Sequence, residues 1–139
     1  MFRPFMVLAP LLALFLVVTA RAEDAAAPPA PAGPARYIHL EPAFVVNYGS
    51  SGRMRYLRTN VVLRVSTVEE AARVSLHKPF IRNNLVMLFS AQESDVMNTP
   101  QGRESLRKVA LDEVRAVMEM LEGTPDVADL YFSNFVVQN

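Results

Sequence analysis

Cysteine is absent from this chain of 139 residues. That excludes a disulfide framework, a thiolate metal site and a cysteine nucleophile, and it leaves the compartment open. Excess charge is absent too, since 14 basic residues balance 14 acidic ones. Nothing therefore draws nucleic acid by bulk electrostatics. Histidine is scarce: His39 and His77 are the only two. A metal site needs convergent ligands, and no other ligand is spaced to help either imidazole. Ser90 and Ser133 lack the surrounding elbow that a nucleophile with its base requires. Gly49-Ser50-Ser51-Gly52 is glycine-rich, but it joins two strand-like runs, whereas a phosphate loop opens a helix. Asp112 and Glu113 are adjacent, so on a helix they point to different sides; Glu119 and Glu122 share a side and read as a solvated helix surface.

Long apolar runs are also few, and the one present is N-terminal. Arg3 is followed by apolar residues from Phe5 to Ala20, broken by Pro10 and Thr19, and Ala20-Arg21-Ala22 has the small-x-small form of a cleavage site. As a helix this run reaches about 24 Å, short against a bilayer core of ~30 Å. Residues 1–22 are read as a signal peptide or membrane anchor, and either role sends the rest of the chain out of the cytoplasm. Without them the remainder keeps 12 basic and 14 acidic residues. Residues 23–35 carry Pro28, Pro29, Pro31 and Pro34 among alanines and cannot build a core. They read as a semi-rigid spacer reaching roughly 40 Å, or as a plain disordered leader.

The folded domain is expected over residues 36–139. Tyr37 to Tyr48 reads as a strand with Pro42 at an edge or bulge. Arg53 to Ser66 reads as a second strand. Leu57, Thr59, Val61, Leu63 and Val65 fall on its apolar face, and Tyr56, Arg58, Asn60, Val62 and Arg64 on the other. Such alternation belongs to a half-buried antiparallel sheet. Thr67 caps a helix with Glu69 and Glu70 in its first turn. Pro79 interrupts that helix and starts a second helix, from Phe80 to about Gln92, with Phe80, Ile81, Leu85, Leu88 and Phe89 as its apolar stripe. Thr99-Pro100 starts a further helix, striped by Leu106, Val109, Ala110, Val114, Val117, Met118 and Leu121 and ended by Gly123 and Pro125. Asp126 to Gln138 is β-branched and aromatic, hence the last strand. The predicted fold is α+β, in the order β-β-α-α-β, a small antiparallel sheet packed by helices and preceded by the N-terminal apolar helix.

Two clusters have no catalytic spacing and suit contact instead. Arg53, Arg55 and Arg58 form the densest basic patch, fit for acidic lipid headgroups or an acidic partner, or else for protecting a solvated strand edge. The helix break at Lys78, Phe80, Arg82, Asn83 and Asn84 sets charges and amides on an otherwise apolar element. Buried amides must be hydrogen-bonded, so these either pin the break internally or meet a subunit.

Several segments, taken in order, resemble the flagellar basal-body-associated protein FliL family. They are Tyr37-Ile38-His39-Leu40-Glu41-Pro42-Ala43-Phe44-Val45-Val46-Asn47, Arg55-Tyr56-Leu57, His77-Lys78-Pro79-Phe80-Ile81-Arg82-Asn83, Leu88-Phe89-Ser90-Ala91-Gln92, Thr99-Pro100-Gln101-Gly102-Arg103-Glu104-Ser105-Leu106-Arg107 and Tyr131-Phe132-Ser133-Asn134-Phe135-Val136-Val137-Gln138. The resemblance implies a periplasmic domain similar to stomatin-type ring-forming domains, with no enzymatic activity and no cofactor. It implies an inner-membrane protein that assembles as a ring or arc around flagellar stator units of the MotA/MotB kind and supports torque, motility and chemotactic switching.

On this reading the ring contact is expected at Lys78 to Asn84 and at a sheet edge near Arg53 to Arg58. Reversing Arg82 to Glu is expected to reduce motility and leave the monomer folded. Two other classes stand beside it. An exported stomatin-like membrane scaffold would share the fold and lack the flagellar role. An exported hydrolase would need a cleft with convergent acid, base and nucleophile, which the residues do not provide.

Overall fold

The computed structural model describes residues 34–50 and 52–138. The expected leader, its apolar helix and most of the spacer lie outside them, and the described residues all fall within the unit that runs from Pro31 onward. No helix among the described residues is long and apolar enough to cross a membrane.

Seven elements follow one another: β1 (Arg36–Tyr48), β2 (Arg55–Val65), α1 (Val68–Leu76), α2 (Lys78–Ser90), α3 (Ser94–Asn98), α4 (Pro100–Glu122) and β3 (Val127–Gln138). The class is α+β, as expected, but the order is β-β-α-α-α-α-β. The break expected at Pro79 falls at His77, the cap shared by α1 and α2, and Pro79 sits in the first turn of α2. The single turn of α3 is too short for any periodicity to announce it. The three strands form one antiparallel sheet in the order β1-β2-β3.

Alternation puts one face of β2 into the core: Leu57, Thr59, Val61, Leu63 and Val65 are all buried. Phe44, Val46 and Leu130 join them from the flanking strands. The helices cover this face with Ile81, Leu85 and Phe89 of α2, Met97 of α3, and Leu106, Ala110, Val114, Val117 and Met118 of α4. A ladder of aromatic contacts, two edge-on and one tilted, crosses the layer boundary. Phe44 and Phe89 are 5.4 Å apart, Phe89 and Phe132 5.8 Å, and Phe132 and Phe135 5.3 Å, spacings at which the ring quadrupoles attract. Two expected stripe members are not in the core. Phe80 is 56% exposed and Val109 48% exposed. Phe80 sits in the first turn of α2, ahead of Ile81, and Val109 sits one position from the buried Ala110, so both fall outside the narrow face that meets the sheet.

Local chemistry sets the helix ends. Thr67 and Glu70 form a reciprocal capping box at the start of α1. Thr99 accepts from Gly102 N–H at 3.0 Å, and Pro100 occupies the first turn of α4. Gly123 ends α4 at φ 74, a left-handed conformation that glycine adopts without a Cβ clash.

The sheet register shifts at three places, one of them between Arg64 and Val65, and the other two lie at the same height. Between β1 and β2 the register shifts between Leu40 and Phe44, around Pro42. Between β2 and β3 it shifts between Arg58 and Asn60, where Asn134 has φ 56. Thr59, buried, lies between the two bulges. Bulges bend a strand and re-aim its side chains. Here Phe132, Phe135 and Val137 all stay packed against the core although their spacing changes from three to two.

Candidate functional site

The sheet has helices on one face only, so its second face is open. Cross-strand register places Tyr37, Arg64 and Asp129 in one row of that face and His39, Val62 and Tyr131 in the next. Beyond the bulges follow Val45, Arg58 and Val136, then Asn47, Tyr56 and Gln138. Five large apolar residues on it are exposed: Tyr37, Val45, Tyr56, Tyr131 and Val136. At the bend, Pro42, Ala43, Val45, Tyr56, Val136 and Arg58 line a concave patch of about 570 Å³. It is an apolar floor with one guanidinium in it.

The predicted contact residues divide among three places. Arg53 is exposed in the hairpin loop after Gly52. Arg55 opens β2 and shares a depression with Glu93 and Asp95 at the start of α3. Arg58 stands on the open face. None of them lies on a sheet edge, because β2 is the central strand and Arg53 precedes it; the expected edge position is corrected. Lys78, Phe80 and Asn83 lie along α2, with Lys78 half-buried and the other two exposed. Asn83 Nδ2 is 3.8 Å from Met87 Sδ in its own helix.

Arg82 and Asn84 work inside the monomer. Arg82 Nη2 donates to the Ala43 carbonyl at 3.2 Å, and its guanidinium lies 4.2 Å from the Phe44 ring centroid. It therefore ties α2 to the β1 bulge from the core side, while Arg58 stands at the same bulge on the open side. Asn84 Nδ2 donates to Glu113 Oε1 at 3.1 Å, pinning α2 to α4. Of the two roles open to the amides, Asn84 takes the internal one. The expectation that a reversed Arg82 leaves the fold untouched conflicts with these contacts.

Four polar links between distant segments carry no local signal in the sequence. Arg73 and Asp126 form a two-pronged pair at 2.8 Å, with the Asp126 side chain 1% exposed. Hydrogen bonding from Arg73, opposed by burial and helped by Thr124, holds the Asp126 carboxyl below its usual value of 3.8. His77 Nε2 and Glu122 Oε1 are 2.6 Å apart, which takes Glu122 off the solvated surface expected for it. Arg107 bridges Glu104 and Asp129, both at 2.7 Å, and its own pKa is raised, chiefly by Glu104. Burial acts to raise Asp129, but hydrogen bonds from the Leu130 amide, Tyr131 and Arg107 outweigh it and leave that carboxyl lowered. Arg115 donates to the carbonyls of Val127 and Ala128 at 2.8 and 2.9 Å.

Among the described residues no group of three or more His, Cys, Asp or Glu is placed to hold a metal ion. The histidines are far apart in role: His39 is exposed on the open sheet face, and His77 is held at the α1–α2 corner.

Comparison with known proteins gives consistent matches. The family model described as "Flagellar basal body-associated protein FliL" matches residues 37–138. The "Flagellar protein FliL" of Aquifex aeolicus (strain VF5) is 30% identical over 99 residues, covering 71% of this chain and 59% of that protein. The "Flagellar protein FliL" of Escherichia coli (strain K12) is 28% identical over 99 residues, covering 68% of this chain and 60% of that protein. The match thus spans about three-fifths of the length of these relatives.

Proposed function

This chain belongs to the family of flagellar basal body-associated proteins called FliL, and from that membership we propose that it is a non-enzymatic assembly protein of the flagellar motor. It stands on the periplasmic side of the inner membrane. Copies gather as a ring or arc around the stator units, of the MotA/MotB kind, and support torque, motility and chemotactic switching. The observation that carries this reading is the extent of the family match, which runs from the start of β1 to the end of β3. The open sheet face fits a protein that works by contact.

The mechanism is a brace. A brace shifts a partner's equilibrium only by binding one of its states more tightly than the other. In this proposal the spacer of residues 23–35 holds the domain off the membrane, and the assembled domains favour the active form of the stator's periplasmic segment.

The test is crosslinking in motile cells, followed by purification of the tagged protein from solubilised envelopes and mass spectrometry. Stator or basal-body subunits among the crosslinked partners are the expected result. Recovery of self-oligomers and lipid alone, together with normal swimming of a deletion strain, would replace this reading with an exported scaffold that has no flagellar role.

A further inference from the structure

The three strands carry four arginines, Arg36, Arg55, Arg58 and Arg64, against two acids, Glu41 and Asp129. Asp129 is engaged with Arg107, and Glu41 lies in the bulge of β1. Arg58 and Arg64 both stand on the open face of β2, and among the described residues neither forms an ion pair. Arg64 Nε is moreover buried without an acceptor, so the hydrogen-bonding capacity of this cation is not met within the domain. The open sheet face is therefore charged in one sense along its central strand.

Each of these two arginines has rings and hydrogen-bonding groups beside it. Arg64 pairs in register with Tyr37, and the next row holds His39 and Tyr131. Arg58 lies in the concave patch with Tyr56, whose own row is completed by Asn47 and Gln138. Along β2 the two stations are roughly 20 Å apart at ~3.3 Å per residue, with Asn60 between them. A small ligand needs one such station. Two in line along a strand suit a linear chain that carries repeated anions.

The chemistry of the face selects among such chains. A protein interface sets its apolar residues at the centre and its polar ones at the rim. Here the order is reversed: Tyr37 and Val45 lie on β1 and Tyr131 and Val136 on β3, whereas Arg58, Asn60 and Arg64 run up the middle. Attachment to a membrane surface grows with the apolar area buried in it. The face offers short valines and hydroxyl-tipped rings, and none of the exposed Phe, Leu and Met side chains of the described residues stands on it. A sugar ring matches these features. The C–H bonds on its face carry slight positive charge and stack on the negative face of an aromatic ring. Its hydroxyls both donate and accept, as the amides of Asn and Gln do. Carboxylates attached to it pair with guanidinium groups.

We infer that the open sheet face binds a linear, carboxylate-bearing glycan, the wall polymer beyond the inner membrane, laid along β2 with its rings on Tyr37, Tyr56 and Tyr131 and its carboxylates on Arg58 and Arg64. Such binding rests on the periplasmic placement of the proposed function, and it gives the brace a fixed support besides the partner that it steadies.

The test uses the full chain purified from envelopes in detergent, and cell-wall sacculi freed of protein by boiling detergent and protease. The wild type is expected to sediment with the sacculi. Tyr37→Ala, Tyr56→Ala and Arg58→Gln are each expected to weaken this binding about tenfold. Lys108→Gln, exposed on α4 and away from the sheet face, is expected to leave it unchanged. Circular dichroism confirms that each variant folds, and Tyr37→Ala, at the start of an outer strand, keeps the test open if a change in β2 disturbs the sheet. Amidation of the sacculus carboxylates is expected to reproduce the loss seen with Arg58→Gln. An equal loss for Lys108→Gln overturns the assignment to this face in favour of unspecific charge attraction. Release from the sacculi by phosphatidylglycerol micelles, where neutral micelles release nothing, overturns the glycan in favour of a lipid headgroup. In motile cells a photoreactive side chain in place of Tyr37 is expected to attach the chain to the sacculus; attachment to a protein instead overturns the glycan in favour of that partner. A chain that external protease cannot reach in spheroplasts overturns the periplasmic placement itself. One that is reached, yet stays in solution when sacculi sediment, overturns the glycan alone.

Discussion

Arg82 lies 4.2 Å from the centre of the Phe44 ring and at the same time donates to the carbonyl next to it in the chain. One side chain of α2 thus holds both the aromatic core and the bulge of β1. Arg82→Glu removes the cation and points an acid at a carbonyl. We expect about 2 kcal/mol of lost stability, from the hydrogen bond and the cation–π contact together. Urea unfolding of the folded domain within the full chain checks it. An unchanged midpoint would return Arg82 to the list of free surface residues, and any motility defect of the variant has to be read against this loss.

Asp126 makes stability depend on pH in a stated direction. Its carboxyl is held below the usual value of 3.8 in the folded protein, so the Arg73 pair is fully present above that value and is lost as pH falls through the lowered one. Asp126→Asn should therefore cost roughly 1–3 kcal/mol at neutral pH and flatten the acid limb of the stability curve. Asp129 and Glu104 are lowered as well, so the flattening is partial. Asn is the substitution of choice because Asp126 has φ 53, which Asn tolerates and Ala does not. Thermal unfolding from pH 3 to pH 7 reads the effect; parallel curves for the two proteins would rule it out.

Gly102 has no room for a methyl group. A Cβ there would collide with the Val96 carbonyl oxygen and come within 2.7 Å of the Val96 Cα, both of them backbone. Gly102→Ala should therefore separate α4 from α3 and cost about 1–3 kcal/mol, although alanine is the better helix former in isolation. A stabilised variant in a thermal melt would show that α3 yields freely.

Arg115 closes the beginning of β3 by donating to two consecutive carbonyls. Arg115→Met keeps the apolar stem and removes both donors. We expect faster amide exchange over residues 126–130 with little change in the helices, measured by hydrogen–deuterium exchange. Uniform acceleration across the domain would mean that Arg115 serves global stability instead.

Much of the fold could be read along the chain because local rules agree with it. The alternation of Leu57, Thr59, Val61, Leu63 and Val65 marks the buried face of β2, and Thr67, Thr99, Pro100 and Gly123 mark helix ends where the structure has them. The position of β2 in the sheet could not be read. β3 returns after four helices and pairs with β2 rather than β1, a tertiary choice that converts Arg58 from an edge residue into a face residue. The same limit hid the pairs Arg73–Asp126 and His77–Glu122, whose members are 53 and 45 residues apart. At the helix break, the identity of Lys78 to Asn84 pointed to contact, but only packing distinguishes Phe80 and Asn83, turned outward, from Arg82 and Asn84, turned to their own neighbours.

The arginines that touch strand backbone have a consequence for crowding. Arg82 covers the Ala43 carbonyl of β1, Arg115 those of Val127 and Ala128, and Arg107 that of Leu130. β1 and β3 are the two outer strands, and outer strands of 13 and 12 residues are templates for fusion with another chain. These guanidinium groups engage backbone acceptors at one point of β1 and within the first four residues of β3, acceptors that another chain would meet already occupied. A further strand added there would have to displace a guanidinium first, so the outer strands carry part of their own protection against fusion with another chain.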